Sequence, residues 1–121
     1  MAKARIDYVE LPVTDLAASR AFFEAAFGWS LTSFGPTYAA TTTGDVDLGL
    51  DSTPGDAVAA PLAVIRVDDL EAAYSDVVRA GGILTRDIFT FPGGRRFHFR
   101  EPGGCEQIGR ASCRERVLMP V

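Results

Sequence analysis

Two stretches of the chain share one pattern of hydrophobic and polar positions. In each, residues of alternating character lead to an aspartate, and a run with the 3.6-residue period of a helix follows and ends near a glycine. Alternation is typical of a strand, and an aspartate before a helical run is a typical N-cap. The pattern therefore predicts helices over about 16–27 and 70–80, each preceded by a strand.

Both predicted helices have one apolar face, which indicates that each packs on a sheet. In the first helix the residues predicted to face inward are Leu16, Phe23, Ala26 and Phe27. In the second they are Leu70, Ala73, Tyr74, Val77 and Val78.

The two stretches also match in sequence. VELPVTDLAAS (9–19) aligns with AVIRVDDLEAA (63–73) at an offset of 54 residues, which places Asp15 on Asp69 and Gly28 on Gly82. Three strand-like runs separated by turn residues follow each helix. They are WSLTSF, TYAATTT and VDLGLDS in the first half, and ILTRDIF, RRFHFRE and CEQIG in the second.

Each half is therefore predicted to be a βαβββ module, and the fold class is predicted to be α+β. We expect one domain over 1–121, with module 1 at about 5–52, a linker at 53–61 and module 2 at about 62–109. Residues 110–121 form an atypical tail. Its run IGRASCRERV is similar to translated vector or adapter sequence, so no function is predicted from it.

Two such modules, a V-x-D-L helix start and the turn FREPGG (99–104) resemble the vicinal oxygen chelate superfamily. That group includes glyoxalases, extradiol dioxygenases, fosfomycin-modifying enzymes and bleomycin resistance proteins. The resemblance covers about 5–109. It implies mixed sheets curled around a cleft, helices on the outer face, and a homodimer.

The metal enzymes of that superfamily hold a divalent ion with His and carboxylate ligands, which leave positions open for substrate. Matched residue by residue, the ligand positions fall on Tyr8, Leu62 and Ile108. Two of these have hydrocarbon side chains. The resemblance therefore predicts a member with no metal and no other cofactor.

Strand alternation predicts which residues share the cleft with those positions. The predicted ligand-binding residues are Tyr8, Glu10, Leu62, Val64, Arg66, Arg96, His98 and Ile108, with Trp29, Phe34, Tyr38 and Phe91 near the mouth. Such a mixture of apolar walls and a few polar groups is typical of a small-molecule site.

The polar members have alternative interpretations. Glu10 and Arg66 either contact a ligand or pair with each other as buried charges. His98 and Glu10 are the candidate catalytic residues, since either could act as a general base. His98 could equally contact a ligand or complete the structure. The turn EPGG (101–104) is read as a hairpin connection rather than a phosphate-binding loop.

Composition narrows the class of partner. The formal net charge is −4 and basic residues do not alternate with aromatic ones, so nucleic acid is not expected to bind. We expect a cationic or aromatic small molecule as the ligand instead. No run is long and apolar enough for a membrane span. With no secretion signal, we expect a cytoplasmic protein whose Cys105 and Cys113 are free thiols.

The resemblance, the residues at the ligand positions and the predicted cleft together predict a metal-independent small-molecule-binding protein, similar to the bleomycin resistance proteins. Such a protein sequesters its ligand and is not an enzyme. The alternative is an enzyme of the same superfamily, a glyoxalase-like lyase, an isomerase or a dioxygenase relative, acting on an unknown small molecule.

Overall fold

The computed structural model describes residues 4–54 and 60–112. These residues form two compact units, one within 7–63 and the other made of 4–6 and 64–112. Residues 55–59 of the predicted linker and residues 113–121 of the predicted tail, with Cys113, lie outside the described residues. Cys105 is an exposed free cysteine.

Within the described residues, a strand, a helix and three strands follow one another twice. The elements are β1 (Ala4–Pro12), α1 (Leu16–Phe27), β2 (Thr32–Ser33), β3 (Tyr38–Ala40), β4 (Asp47–Asp51), β5 (Leu62–Val67), α2 (Leu70–Arg79), β6 (Ile83–Phe91), β7 (Gly94–Arg100) and β8 (Glu106–Ser112). This order confirms the predicted α+β class and the two βαβββ modules.

In the unit within 7–63 the strand order is β2-β3-β4-β1. β1 and β4 are parallel, whereas β3 is antiparallel to both of its neighbours, so the pairing is mixed. The side chains under α1 form the core of this unit. They are Leu31, Ala39 and Leu50, with Leu11, Val13, Leu16, Phe23 and Leu48 packed against them.

In the other unit the order is β5-β8-β7-β6, and β7 is antiparallel to both neighbours. Its core lies between α2 and the sheet. The buried members are Val67, Leu70, Phe97, Phe99 and Ala111. Burial of Phe97 and Phe99 confirms the core parity that the sequence predicts for β7.

The last strand is longer than predicted. Gly109 does not end it, since β8 continues to Ser112 and Ala111 is 4% exposed in the core. A side chain at Gly109 would meet the Phe97 ring, with its Cβ 2.8 Å from Cε1. The glycine therefore leaves room for Phe97 on the neighbouring strand.

The helices bury less of their predicted apolar faces. Phe27 is 60% and Val78 50% exposed, and Ala26 is exposed as well, so the inward placement of these three residues is wrong. All three lie in the last turns of their helices. Neither helix in the described part of the chain is long and apolar enough to cross a membrane.

Both helices begin at the predicted aspartates. The Asp15 carboxylate accepts the backbone N–H of Ala18, and the Asp69 carboxylate accepts that of Ala72. The first helix ends at Gly28, whose φ of 70° is the left-handed conformation that glycine adopts without strain. The second ends at Ala80 rather than at a glycine.

The Asp69→Ala variant tests the N-cap of α2. Losing the carboxylate leaves an amide of the first turn without its acceptor, which lowers the free energy of unfolding by about 1 kcal/mol. Urea denaturation measures the loss. The neighbouring Asp68→Ala variant is the control and is expected to change stability by less than about 0.5 kcal/mol. Equal losses in the two variants would contradict the capping role.

Candidate ligand-binding site

His98 lies on the face of β7 that is turned away from α2. Its neighbours Phe97 and Phe99 point into the core, so alternation directs the imidazole to the opposite face. Even so, the side chain is only 7% exposed. A buried imidazole needs polar partners, and those partners define the site.

Glu106 is the partner of one imidazole nitrogen. Its Oε2 lies 3.2 Å from Nδ1 of His98 and 3.2 Å from the Thr85 hydroxyl, which donates to it. The hairpin places Glu106 there, since His98 pairs with Ile108 and Glu106 lies two residues away on the same face. A carboxylate only accepts hydrogen bonds, so the Nδ1 nitrogen carries the proton.

The other imidazole nitrogen has a different environment. Nε2 of His98 is buried, and no described residue forms a hydrogen bond with it. With the proton on Nδ1, Nε2 of the neutral ring holds a lone pair and is an acceptor. Burying such a group without a partner costs about 1–3 kcal/mol, so we expect a ligand or an ordered water to donate a hydrogen bond to this atom.

The charge state of His98 depends on opposing effects. Burial lowers its pKa below the ordinary 6.5, and the positive charges of Arg96 and Arg86 lower it further. The hydrogen bond and charge of Glu106 act against them and raise the pKa. Because the lowering effects prevail, the net shift of the pKa is downward, which favours the neutral imidazole at pH 7.

Two register shifts in β6 determine what surrounds His98. Leu84 pairs with Phe99, so regular pairing would place Thr85 opposite His98 and Arg86 opposite Phe97. Instead Arg86 pairs with His98, and beyond a second shift Phe89 pairs with Arg96. Each shift adds a residue to β6, as a β-bulge does, and so brings Arg86 and Phe89 to the His98 face.

Contacts on the opposite face agree with these bulges. Ile88 packs against the core cluster under α2. Burial raises the pKa of Tyr74 on α2, and so do the charge and the hydrogen bond of its neighbour Asp87. Asp87 and Ile88 therefore both face the helix, while the residues on either side of them face His98.

The Phe89 ring contacts the guanidinium groups of Arg86 and Arg96 beside the imidazole. Cζ of Arg86 lies 3.7 Å from the Phe89 ring centroid, and Cζ of Arg96 lies 5.2 Å from it. The Phe89 and His98 rings are 5.8 Å apart. Arg96 also lies 5.0 Å from the Phe91 ring. Such cation–π contacts orient both guanidinium groups.

The same unit holds Val64, Arg66 and Ile108 of module 2, whereas Leu62 belongs to the unit within 7–63. Val64 and Ile108 are buried and Arg66 is half-buried. A cavity of about 180 Å³ is lined by Ala4, Arg5, Arg66 and Asp68. It is smaller than the roughly 300–1,000 Å³ of ligand pockets, and His98 does not line it.

Predicted residues of module 1 meet around Gly49. The Tyr8 and Tyr38 hydroxyl groups form a hydrogen bond with each other, and both pack where a Cβ at Gly49 would lie. Glu10 pairs with Gly49 in the sheet and is buried. Tyr8, Tyr38 and Glu10 thus lie on the sheet face opposite α1.

Two aromatic residues of module 1 lie elsewhere. Trp29 stacks on Phe23 and Phe27 of α1, with ring centroids 5.4 and 5.3 Å apart, so it is not placed with Tyr8 and Glu10. Phe34 is 57% exposed, with its ring centroid 6.4 Å from that of Tyr38.

The residues at the three superfamily ligand positions do not fit a metal. Leu62 and Ile108 are buried hydrocarbons with no donor atom, and the Tyr8 hydroxyl is bonded to Tyr38. In the described part of the chain, no three His, Cys, Asp or Glu side chains are grouped closely enough to hold an ion.

Sequence reasoning missed Glu106, Thr85, Arg86 and Phe89. Counting outward from the EPGG turn could have found Glu106, because the hairpin places it on the face of His98. No sequence signal marks the two bulges that position the residues of β6, since strand alternation alone assigns Arg86 to the other face.

Comparison with known proteins identifies the family. The model of the Glyoxalase/Bleomycin resistance protein/Dioxygenase superfamily matches residues 5–106. The chain belongs to this superfamily, which confirms the resemblance found in the sequence. A search of curated proteins finds no match.

Solved structures with this fold include an epimerase and a metal-bound glyoxalase. Methylmalonyl-CoA epimerase of Streptomyces coelicolor, in complex with 2-nitronate-propionyl-CoA, has a TM-score of 0.73 at 17% identity over 90% of this chain and 97% of that one. The Mn(II)-bound glyoxalase of Novosphingobium aromaticivorans has a TM-score of 0.65 at 19% identity, over 90% of this chain and 40% of that one.

A superfamily member from Vibrio splendidus has a TM-score of 0.64 at 18% identity over 93% of this chain and 99% of that one. At such identities these similarities establish the fold alone.

Titration of His98 tests the electrostatics of the site. We expect a pKa below 6.5, and a lower value still in the Glu106→Gln variant, which loses the charge that favours protonation. His98 is the sole histidine, so proton NMR follows its ring directly. The Glu71→Gln variant is the control. A pKa above 6.5, or one that rises in Glu106→Gln, would contradict this account.

The lowered pKa of His98 also predicts how the stability of the fold depends on pH. Between the folded pKa and 6.5 the unfolded chain binds a proton that the folded chain does not, so His98 lowers stability as pH falls below 6.5. The lowered pKa values of Asp47 and Glu101 act in a separate window, below their ordinary values of 3.8 and 4.5.

Proposed function

We propose that this protein is a metal-independent small-molecule-binding protein that holds its ligand against the His98 face. The observation that carries the proposal is the buried Nε2 of His98, which has no partner among the described residues while Glu106 holds Nδ1. Keeping such a group buried is unfavourable unless a binding partner compensates for it.

Metal independence is supported by the chemistry of the side chains. A divalent ion needs several N, O or S ligands, and two of the three superfamily positions hold leucine and isoleucine. His98 and Glu106 could supply two donors, but one oxygen of Glu106 already accepts from His98 and Thr85. Relation to the bleomycin resistance proteins supports sequestration as the way the ligand is used.

We propose in addition that the protein is a homodimer. Its support is a group of exposed rings at the end of α1, in which Phe22 is 58%, Phe27 60% and Trp29 41% exposed. Neighbouring exposed apolar residues of this kind typically mark an interaction surface.

A second candidate function is acid–base catalysis without a metal. The observation that favours it is again the Glu106–His98 pair, because a carboxylate that fixes the imidazole tautomer leaves Nε2 as a base. In such an enzyme Nε2 would accept a proton from a carbon or oxygen of the bound molecule. The resulting imidazolium would be stabilised by Glu106.

Ligand screening in the presence of a chelator tests the binding function. A compound that raises the melting temperature of the wild type in EDTA is expected to bind the His98→Phe variant about tenfold more weakly, since phenylalanine keeps the ring but not the acceptor. Calorimetry measures both affinities, with Glu71→Gln as control. Binding that requires a divalent metal, or that is unchanged in His98→Phe, would contradict the proposal.

Isotope exchange distinguishes the enzyme from the binding protein. Bound compounds are incubated in D₂O and NMR follows the loss of their C–H signals. A general base at His98 would exchange an acidic C–H, and Glu106→Gln would slow this at least about tenfold, whereas Glu71→Gln would not. Exchange no faster than in buffer would leave binding as the function.

A further inference from the structure

We infer that the ligand of the His98 face is a small organic anion with a hydroxyl group next to its charge, as in a 2-hydroxycarboxylate. The anionic group would lie at Arg86, with Arg96 beside it, and the hydroxyl would donate to Nε2 of His98. This inference rests on the proposed ligand-binding function and reverses the expectation of a cationic ligand. Three features of the described residues carry it.

The first feature is the position of Arg86. Without the first bulge of β6 this residue would face the core beneath α2, and the bulge brings it opposite His98. Bulges are common beside binding sites, where they redirect a side chain. The displaced residue here carries a permanent positive charge, so the irregularity places a cation next to a neutral imidazole.

The second feature is the way Arg86 is held. Its guanidinium stacks on Phe89 with Cζ 3.7 Å from the ring centroid, and it forms no ion pair with a described residue. Stacking fixes the plane of the group but leaves its N–H donors for hydrogen bonds in that plane. A planar guanidinium matches a carboxylate through two parallel hydrogen bonds.

The third feature is the polarity of His98. Nδ1 keeps its proton and donates to Glu106, so the nitrogen left without a described partner is an acceptor and selects a donor group on the ligand. A cation at this place would meet Arg86 and Arg96 at close range, and like charges repel. An anion at Arg86 and a hydroxyl donor at Nε2 of His98 satisfy both groups.

Four small probes that differ in one group test this inference. Glycolate carries the anion and the hydroxyl, acetate only the anion, glycolamide the hydroxyl without charge, and ethanolamine the hydroxyl with a positive charge. The ring signals of His98 report binding, since it is the sole histidine. We expect glycolate to shift these signals saturably, and each of the other probes to bind at least about tenfold more weakly.

Variants locate the anion. Arg86→Gln is expected to weaken glycolate binding about tenfold, because it removes the charge and keeps a hydrogen-bonding side chain. Arg79→Gln on α2 is the matched control and should leave binding unchanged. If Arg86→Gln binds glycolate as the wild type does, the position assigned to the anion is wrong.

The outcomes separate this inference from the function on which it rests. Ethanolamine or glycolamide binding at His98 as well as glycolate would overturn the anionic ligand and leave the proposed function standing. Acetate binding as well as glycolate would overturn the hydroxyl donor. If none of the four probes shifts the His98 signals while a larger compound does, the anion assignment fails alone; if no compound does, both fail.

Discussion

The antiparallel pairing of β7 with β8 is the constraint on which the candidate site depends. Regular register runs from Gly94 opposite Ser112 to Arg100 opposite Glu106, without a shift. Because side chains alternate across a strand, this one register sends Phe97 and Phe99 to the core and His98 and Ile108 to the other face. A slip of one residue would exchange the two sets.

The same register explains two details of composition. Gly109 lies opposite Phe97, and the absence of a side chain there lets the ring pack over the backbone of β8. On the other face, Glu106 comes close enough to bond Nδ1 of His98. One hairpin therefore supplies both the largest buried side chain of this unit and the polar pair of the site.

The pairing of β6 with β7, in contrast to that of β7 with β8, has an irregular register. β6 supplies further residues around His98. As the last strand in the order of its unit it has one paired neighbour, so extra residues can be accommodated on its free side. Its two bulges turn Asp87 and Ile88 toward α2 and turn Arg86 and Phe89 toward His98. The regular β7–β8 hairpin fixes the position of His98 and carries Arg96, and the irregular edge strand β6 brings Arg86 to the same face.

Much of the fold could be predicted from the sequence because its signals are local. The aspartate caps, the two helical periods and the glycine-containing turns each act over a few residues, and the repeat placed them in order. Fine placement of aromatic residues could not be predicted. Phe27 satisfies the helical pattern and Trp29 is expected near the mouth of the cleft, yet both stay partly exposed beside each other, since burial depends on what the sheet beneath covers.

The candidate site was predicted only in part, because strand alternation does not hold throughout β6. Strand parity gave the positions of His98, Arg96 and Ile108, but Arg86 and Phe89 lie where parity fails. The net charge of −4, from which a cationic ligand is expected, is a sum over the whole chain. It does not show that Arg86 and Arg96 lie close to His98 on one face of one unit.

The tautomer of His98 tests the central claim most directly. Long-range proton–nitrogen correlation NMR on nitrogen-labelled protein at pH 7.5 distinguishes a protonated from an unprotonated ring nitrogen. We expect a neutral ring with the proton on Nδ1, beside Glu106, and a lone pair on Nε2. A neutral ring protonated on Nε2, or an imidazolium at this pH, would contradict it.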